Sequence, residues 1–507
     1  MEPLLKLLTY LSQLELNMDH NNQKVVTRFA PSPTGFMHIG GVRTALYAFL
    51  FAKKNNGTFI LRIEDTDKAR EVEGSIQHIQ DSLTWLGINW DIGPDKPGAF
   101  KSCLQSERLD TYKHYALKLV AKGLAYPDPY TEEELQAFRE QAEAANRPFL
   151  YRDHRPEEFA DWDGAKALRL KVPEVKRYTW HDEVRGELTA GEEMLDDIIL
   201  IKADGFPTYN FAHIIDDLEM EVTHVMRGEE FISSTPKFLS IYDALEIPYP
   251  KFVTLPPIMG PDGKKKLSKR DGAKDLLDYK KEGYLPEAMR NWLAFIGWNP
   301  GGEQEIYPSN ENDNSLVEAF SIEKIQRSGG AANEEKLLWI NKKYLDLQSP
   351  EFKLQYFSDG LPDATKSLPQ FSVERLEKLA PIAFERIHNQ TEIKVAAEAG
   401  EYDWAFATPD YDASLLKWKN DDSISAGLPR LETVLNRLQN ADFGSLEGIK
   451  SAIWDYVEAT GKGEVLWPLR TALSGKERSP DPIAIAYIIG QTETLSRIKT
   501  ACDKIKG

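Results

Sequence analysis

A strand–helix–strand unit between residues 25 and 63 is the feature that most limits the fold of this chain. Residues 25–29 are mostly apolar or β-branched and are followed by Pro31 and Pro33, which predicts a short buried strand. Apolar side chains then recur at helical spacing over residues 42–50, and residues 58–63 form a second apolar run. Because parallel neighbours need a long crossover, this unit predicts a doubly wound α/β fold with a parallel sheet.

A second unit of the same kind lies far downstream. Residues 222–226 and 252–255 are short apolar runs, and Ser234-Thr235-Pro236 between them has the cap residues and early proline of a helix start. The segment 106–206 between the two units mixes helix and strand patterns with many prolines, which indicates an insertion. Amphipathic helical patterns dominate from about residue 333 onward, so we expect an all-α C-terminal region.

Composition excludes several classes of protein. The chain has 62 Lys and Arg against 80 Asp and Glu, a net charge of −18, which argues against a protein that coats nucleic acid by bulk electrostatics. No apolar run is long enough for a membrane span. The two cysteines, Cys103 and Cys502, are too few for a zinc ribbon and fit a reducing cytoplasm. Residues 1–23 lack the marks of a secretory or transit signal, so we expect a dispensable extension or a start that precedes the true one at Met18.

Three local motifs fall where a doubly wound sheet binds ligands, outside the carboxyl ends of its strands. The first is the loop 31–41, with His38-Ile39-Gly40-Gly41 at the mouth of the first helix, where glycines admit a ligand and the helix N-terminus favours phosphate. The second is the basic loop, residues 263–272, whose cluster of cations suits a triphosphate. The third, residues 62–67, places four ionisable groups where they could hold an amine or contact a ribose.

Each motif alone has a purely structural alternative. The glycines of the loop 31–41 could serve close packing while His38 caps the helix. The lysines of the basic loop could form a solvated turn, and residues 62–67 could be a salt-bridged loop start. The combination of all three, in this order, favours a nucleotide site.

In this order the motifs resemble those of class I aminoacyl-tRNA synthetases, in which residues 31–41 correspond to the HIGH signature and residues 266–270 to the KMSKS signature. Longer stretches resemble glutamyl-tRNA synthetases in particular, and these are residues 27–35, 62–67, 209–212, 227–230, 467–475 and 490–495. The resemblance covers nearly the whole chain after Lys24. One departure is Gly41, which stands where the HIGH signature has its second histidine, a variant that the glutamyl group commonly shows.

The resemblance implies a Rossmann-type catalytic domain that activates L-glutamate with ATP and transfers it from glutamyl-adenylate to the 3′-terminal ribose of tRNA(Glu). The implied division is an N-terminal extension (1–23), catalytic half one (24–105), a connective insertion for the tRNA acceptor end (106–206), catalytic half two (207–262), a basic-loop and stem-contact region (263–342) and a helical anticodon-binding region (343–507). We expect a cytoplasmic monomer without membrane association, whose partners are tRNA(Glu), L-glutamate and ATP.

The resemblance also implies the site residues. The catalytic groups that stabilise charge on the phosphates are His38, Lys266 and Lys269. The ATP-binding residues are Pro31, Gly35, His38, Gly40, Gly41, Lys266, Ser268 and Lys269, and Mg²⁺ is expected to bridge the phosphates of ATP. The glutamate-binding residues are Arg28 and Arg227 for the carboxylates, Glu64 for the ammonium, and Ser32 and Tyr209 as hydroxyls.

Some bacterial members of the family carry zinc in the insertion. The matching stretch here, residues 126–130, has no thiol, so we expect no protein-bound zinc and no metal ligands.

Several other functions are compatible with parts of the pattern. Glutaminyl-tRNA synthetases share the fold but typically have Glu at the position of Ser32, and a shorter relative that glutamylates a modified tRNA base lacks the C-terminal helical domains. A non-catalytic tRNA-binding paralogue would lose phosphate ligands such as His38 and Lys266. A nucleotidyltransferase of the HIGH superfamily would not explain the helical C-terminal third. The sequence leaves open whether tRNA(Gln) is also charged.

Overall fold

The structure is a computed structural model that describes residues 24–267, 274–308 and 314–507. The predicted extension 1–23 and two predicted site residues, Ser268 and Lys269, lie outside the described residues. Residue contacts divide the chain into two compact units. The first unit comprises Met1–Tyr279 and Pro286–Leu337, and the second comprises Lys280–Leu285 and Leu338–Gly507.

The elements are numbered here in chain order. The strands are β1 (Val26–Phe29), β2 (Thr58–Leu61), β3 (Ala125–Pro127), β4 (Leu168–Leu170), β5 (Tyr178–Asp182), β6 (Gly186–Ala190), β7 (Ile199–Ile201), β8 (His224–Gly228), β9 (Lys251–Leu255), β10 (Ile258–Met259) and β11 (Gly330–Ala331). The helices are α1 (Ile39–Lys54), α2 (Ser75–Trp85), α3 (Leu109–Ala121), α4 (Glu132–Ala144), α5 (Tyr209–Glu219), α6 (Thr235–Leu245), α7 (Leu276–Lys281), α8 (Pro286–Phe295), α9 (Ser315–Ala319), α10 (Glu334–Asp346), α11 (Pro350–Gly360), α12 (Asp363–Lys366), α13 (Val373–Phe384), α14 (Gln390–Glu398), α15 (Asp403–Phe406), α16 (Leu428–Leu438), α17 (Leu446–Thr460), α18 (Lys462–Ser474) and α19 (Pro482–Lys506).

Six strands of the first unit form one sheet in the order β2-β1-β8-β9-β5-β6. β1 pairs in parallel with β2 and β8, β9 pairs in parallel with β8 and β5, and β6 runs antiparallel to β5 at the edge. The four strands predicted from the sequence all lie in this sheet, and both predicted crossover helices are present as α1 and α6. The predicted doubly wound α/β fold is confirmed.

The segment 106–206 contributes to two sheets. β3, β4 and β7 form a separate antiparallel sheet of three strands, while β5 and β6 extend the main sheet beyond β9. Buried and exposed side chains alternate along β5, because one face of this strand packs on the core and the other does not. The insertion is therefore interrupted by a hairpin that belongs to the main sheet.

Apolar packing holds the helices of the first unit against the main sheet. The buried cluster joins strand residues such as Ile60, Val225 and Phe252 to Phe211 of α5 and Phe238 of α6. Burial of each such side chain stabilises the fold by about 2 kcal/mol. α5 also brings two acidic residues, Asp216 and Asp217, into the interior beside this core.

The second unit is helical over α11–α19. One buried arginine, Arg497, links several of these helices. Arg497 of α19 is 2% exposed and pairs with Glu493 at 2.8 Å. Its guanidinium donates to the backbone carbonyls of Trp404, Leu473 and Ala407 at or near the ends of α15 and α18. It thereby satisfies carbonyls that the helices themselves leave unpaired. Across the described part of the chain, no helix combines the length and the apolar character needed to cross a membrane.

Candidate active site

The carboxyl ends of β8 and β9 border a cavity of about 310 Å³ beside the N-terminus of α1. Its lining is His38, Gly40, Gly41, Arg43, Thr44, Gly228, Glu229, Glu230, Leu255, Pro256, Pro257, Ile258, Lys266 and Leu267. The structure thus brings together four of the predicted ATP-site residues: His38, Gly40, Gly41 and Lys266. The motif at residues 31–41 and residues 266–267 of the basic loop are far apart in the sequence, but they meet at one edge of the sheet.

His38 and Lys266 line the same cavity, one from each of these two motifs. His38 caps α1: its Nδ1 accepts the backbone N–H of Gly40 at 3.1 Å, so a neutral ring carries its hydrogen on Nε2. A Cβ at Gly40 would lie 2.9 Å from Cε1 of His38, which explains the glycine. The helix-cap alternative is therefore correct as a description of His38, and it leaves the imidazole on the wall of the cavity.

Lys266 is the fourth residue of the basic loop. Its backbone forms a bridge with Met259, and its exposed Nζ lies 3.4 Å from Oε2 of Glu230. Glu229, beside it, pairs with Arg185 at 2.9 Å. The carboxylates on the cavity wall are thus already neutralised by cations of the protein.

A buried charge cluster lies at the carboxyl ends of β1, β2 and β8. We define it as Arg28, Arg62, Glu64, Asp217 and Arg227. Arg62 donates to Oδ1 of Asp217 at 2.7 Å and to Oε1 of Glu64 at 3.0 Å. Arg28 donates to Asp217 through Nε at 3.1 Å and through Nη2 at 3.3 Å. The salt-bridge alternative for residues 62–67 therefore describes part of this cluster.

Asp217 is the member of the cluster that the motifs did not indicate. Burial disfavours its charge, but Arg28 and Arg62 outweigh burial and hold the pKa of Asp217 well below its usual range. For Glu64 the balance is opposite, because burial outweighs Arg62 and Arg28 and raises the pKa of Glu64 to about 7. One carboxylate of the cluster is thus firmly ionised and the other titrates near neutral pH.

Arg227 differs from the other two arginines of the cluster because no carboxylate pairs with it among the described residues, whereas Arg28 and Arg62 are each paired with a carboxylate. It is 7% exposed, its Nη2 donates to the hydroxyl of Thr235 at 3.1 Å, and its Nη1 has no hydrogen-bond partner among the described residues. Its guanidinium lies 4.7 Å from the ring centroid of Phe238, and burial lowers the pKa of Arg227. A buried cation without a carboxylate partner favours an anionic ligand, which would compensate its charge.

The remaining predicted residues are placed as follows. Tyr209, at the first turn of α5, stacks on His213 with centroids 4.7 Å apart, and burial raises the pKa of Tyr209 so that its hydroxyl stays protonated.

Ser32 is exposed on the loop 31–41. Pro31 of the same loop accepts the backbone N–H of Glu64 at 3.0 Å, which links this loop to the charge cluster. Gly35 lies in the same loop and does not line the cavity.

Comparison with known proteins identifies the family. Residues 24–339 match "tRNA synthetases class I (E and Q), catalytic domain", and residues 354–502 match "Anticodon binding domain". The glutamate–tRNA ligase of Clostridium botulinum (strain Hall) is 40% identical over 497 residues, which cover 95% of this chain and 99% of the relative. This chain belongs to the glutamyl-tRNA synthetase family.

Other members of the family match over similar lengths. The glutamate–tRNA ligase of Clostridium tetani is 38% identical and covers 96% of this chain and 99% of its own length. A crystal structure of a glutamate tRNA ligase from Elizabethkingia meningosepticum, in complex with its amino acid, has a TM-score of 0.84 at 35% identity and covers 95% of this chain and 100% of that chain. The structure from Elizabethkingia anophelis gives a TM-score of 0.82 with the same identity and coverage. These matches confirm the predicted family, fold class and enzyme class.

In the insertion, the carboxylate of Asp128 is hydrogen-bonded by side chains of the protein. Its carboxylate accepts from the hydroxyl of Tyr151 and from Nε of Arg169, both at 2.6 Å, and the Arg169 guanidinium lies 3.4 Å above the Tyr151 ring. Within residues 24–267, 274–308 and 314–507, no group of three or more His, Cys, Asp or Glu side chains could hold a metal ion. Because the Asp128 carboxylate already accepts hydrogen bonds from protein donors, it is a poor ligand for a metal ion. That the insertion binds no zinc stays a prediction.

We expect Asp128→Ala to lower the free energy of unfolding by about 3 kcal/mol, because it leaves the buried Arg169 charge and the Tyr151 hydroxyl unpaired. Urea unfolding measures this change. Asp153→Ala is the control, since Asp153 is exposed in the same segment. A zinc chelator should leave the unfolding midpoint of the wild type unchanged, and a clear drop would instead mean that a metal stabilises the insertion.

Proposed function

We propose that the protein activates L-glutamate with ATP to glutamyl-adenylate and transfers the glutamyl group to the 3′-terminal ribose of tRNA(Glu). The observation that carries the proposal is the buried Arg227, whose Nη1 is unpaired among the described residues, in one cluster with Glu64 and Arg28. Two arginines suit the two carboxylates of glutamate, and Glu64 suits its ammonium. Tyr209 and Ser32 supply hydroxyls to the same pocket.

The charge of the cluster favours glutamate over glutamine. Three guanidinium groups oppose two carboxylates when Glu64 is ionised, and the adjoining ion pair of Arg108 with Asp216 adds no net charge, so the cluster has one net positive charge. L-glutamate has one net negative charge and glutamine has none. A glutamate ligand therefore neutralises the pocket, whereas glutamine leaves a buried charge uncompensated. Ser32 also favours glutamate over glutamine, because glutaminyl-tRNA synthetases typically have Glu at this position.

The cavity beside α1 is proposed to hold ATP. Attack of the glutamate carboxylate on the α-phosphate builds negative charge on the phosphate oxygens, and pre-positioned donors stabilise that charge more than they stabilise ground-state ATP. His38, Lys266 and the N-terminus of α1 line this cavity, and Lys269 is assigned to the same role. Mg²⁺ bound with ATP would neutralise part of the phosphate charge. Because Glu229 and Glu230 are paired with Arg185 and Lys266, we infer that this Mg²⁺ is held mainly by the phosphates.

The rest of the chain is assigned to tRNA. We infer that residues 106–206 contact the acceptor end and that residues 263–342 contact the stem. The match of residues 354–502 to an anticodon binding domain supports an anticodon-reading role for the region 343–507. We propose a monomer that works in the cytoplasm.

Charging assays test this function. The protein is incubated with ATP, labelled glutamate and purified tRNA(Glu) or tRNA(Gln), and labelled glutamine is run in parallel. We expect glutamate on tRNA(Glu) and no transfer of glutamine. Transfer of glutamine in preference to glutamate would favour the glutaminyl alternative, and binding of tRNA without any transfer would favour a non-catalytic paralogue.

The KM for glutamate should rise as the pH falls below about 7. Burial raises the pKa of Glu64 to about 7, so the carboxylate is ionised above this pH and loses its attraction for the ligand ammonium below it. The rise should approach tenfold per pH unit. Steady-state charging from about pH 5.5 to about pH 8.5 measures it. Glu64→Gln should have a high KM with this pH dependence removed, and an unchanged slope in that variant would assign the dependence to another group.

A further inference from the structure

His78 of α2 belongs to none of the motifs that indicate function, yet it contacts the loop 31–41 and also Asp275, which follows the basic loop. The backbone N–H of Met37 donates to Nδ1 of His78 at 3.3 Å, and Nε2 of His78 lies 2.9 Å from Oδ1 of Asp275. Since Nδ1 accepts a hydrogen, the neutral ring carries its own hydrogen on Nε2 and donates it to Asp275. The imidazole therefore ties the loop 31–41 to the residue that precedes α7.

Backbone contacts join the same two segments. The N–H of Leu276 donates to the carbonyl of Met37 at 3.0 Å, and His38 pairs with Asp275 in an isolated antiparallel bridge. Oδ1 of Asp275 also accepts the N–H of Leu277 at 2.8 Å, which caps α7. These contacts form a closed ring: Met37 contacts His78, His78 contacts Asp275, and Asp275 pairs with His38, which follows Met37 in the chain.

Phe36 adds an aromatic contact to this ring. Its side chain stacks on His78 with centroids 4.6 Å apart and planes 28° apart, although 52% of Phe36 is exposed. Three consecutive residues, 36–38, are thus positioned from α2 and from the start of α7. The last of them, His38, lines the cavity proposed for ATP and begins the helix whose N-terminus faces it.

We propose that His78 is a positioning residue for glutamate activation, which holds His38 and the N-terminus of α1 in the geometry that the phosphates of ATP require. The inference rests on the proposed function, because it assigns His38 to the phosphates. A misplacement of about 1 Å can cost a hundredfold in rate. Because the bridge between His38 and Asp275 remains when His78 is replaced, the expected loss is smaller, about tenfold in kcat.

Two substitutions separate the hydrogen bonds of His78 from its ring. His78→Phe keeps a ring for Phe36 and removes both hydrogen bonds. His78→Gln keeps an acceptor and a donor at about the spacing of the two ring nitrogens. In ATP–pyrophosphate exchange with tRNA present, we expect His78→Phe to lower kcat about tenfold with the KM for glutamate unchanged. His78→Gln should retain most of the wild-type kcat.

Asp275→Ser breaks the same link from the other side. Serine still caps α7 but is too short to reach His78. We expect Asp275→Ser alone to resemble His78→Phe, and the double variant to lose no more than either single one, since both remove one interaction. Gln77→Phe is the matched control, because Gln77 is the exposed neighbour of His78 on α2 and should leave the rate unchanged. Urea unfolding checks that each variant is folded.

The outcomes distinguish this inference from the proposed function. A wild-type protein without glutamate-dependent exchange would overturn both. An active wild type with an unaffected His78→Phe, or with equal losses in His78→Phe and His78→Gln, would overturn only the positioning role. If His78→Phe does not fold, Asp275→Ser decides, and a wild-type kcat in that variant would overturn the proposal.

Discussion

Arg227→Gln is expected to lower kcat/KM for glutamate about a thousandfold while the protein remains folded. The guanidinium is buried, has no ion pair among the described residues, and keeps an unpaired Nη1. Without it, one of the two glutamate carboxylates enters a desolvated pocket without a cationic partner of its own, which costs about 4 kcal/mol. Charging of tRNA(Glu) with labelled glutamate measures the loss.

Stability separates a ligand-binding role of Arg227 from a structural one. Burial lowers the pKa of Arg227, which means that the empty pocket disfavours its charge, so its removal should leave the free energy of unfolding unchanged or raise it. Arg108 is the matched control, because it is equally buried but is paired with Asp216 at 2.8 Å. Arg108→Gln should lower the free energy of unfolding by about 3 kcal/mol. An Arg227→Gln variant that loses stability and keeps its kcat/KM would contradict the assignment.

The part of the candidate site that is proposed for ATP could be predicted from the sequence because its signals are local. A β-branched run, a proline-stopped loop and a capped helix fix β1 and α1 within residues 25–54, and the doubly wound topology then brings the ends of β8 and β9 beside them. His38 and Lys266 accordingly line one cavity. This prediction needed no knowledge of side-chain contacts, because the loop 31–41 follows directly from a predicted strand and the basic loop is a local cluster of cations.

The charge cluster could not be predicted in the same way, because its pairs join distant parts of the chain. Arg28 and Asp217 are 189 positions apart, and an Asp-Asp pair in a helix is ordinarily a solvated feature. The one available signal was that these acids stand on α5 among residues that are otherwise apolar, such as Phe211 and Ile215. The ring around His78 was missed for the same reason, since Asp275 lies 197 positions away.

Arg28→Gln should lower kcat/KM for glutamate about a hundredfold and gain little activity with glutamine. Arg28 donates to Asp217 and to the carbonyl of Met226, and its remaining N–H groups are those proposed to meet a ligand carboxylate. The substitution also removes one of two arginines from Asp217, so the free energy of unfolding should fall by about 2 kcal/mol. The measurements are urea unfolding and steady-state charging with glutamate and with glutamine.

A second substitution separates the two roles of Arg28. In the double variant Arg28→Gln with Asp217→Asn, the buried carboxylate that lost its partner becomes a neutral amide, and the cluster returns to one net positive charge. The free energy of unfolding should therefore recover toward that of the wild type. The kcat/KM for glutamate should stay low, because neither amide supplies a cation to the ligand carboxylate. Recovery of kcat/KM together with stability would mean that Arg28 serves as the counter-ion of Asp217 and that net charge, with Arg227 alone in contact, selects glutamate.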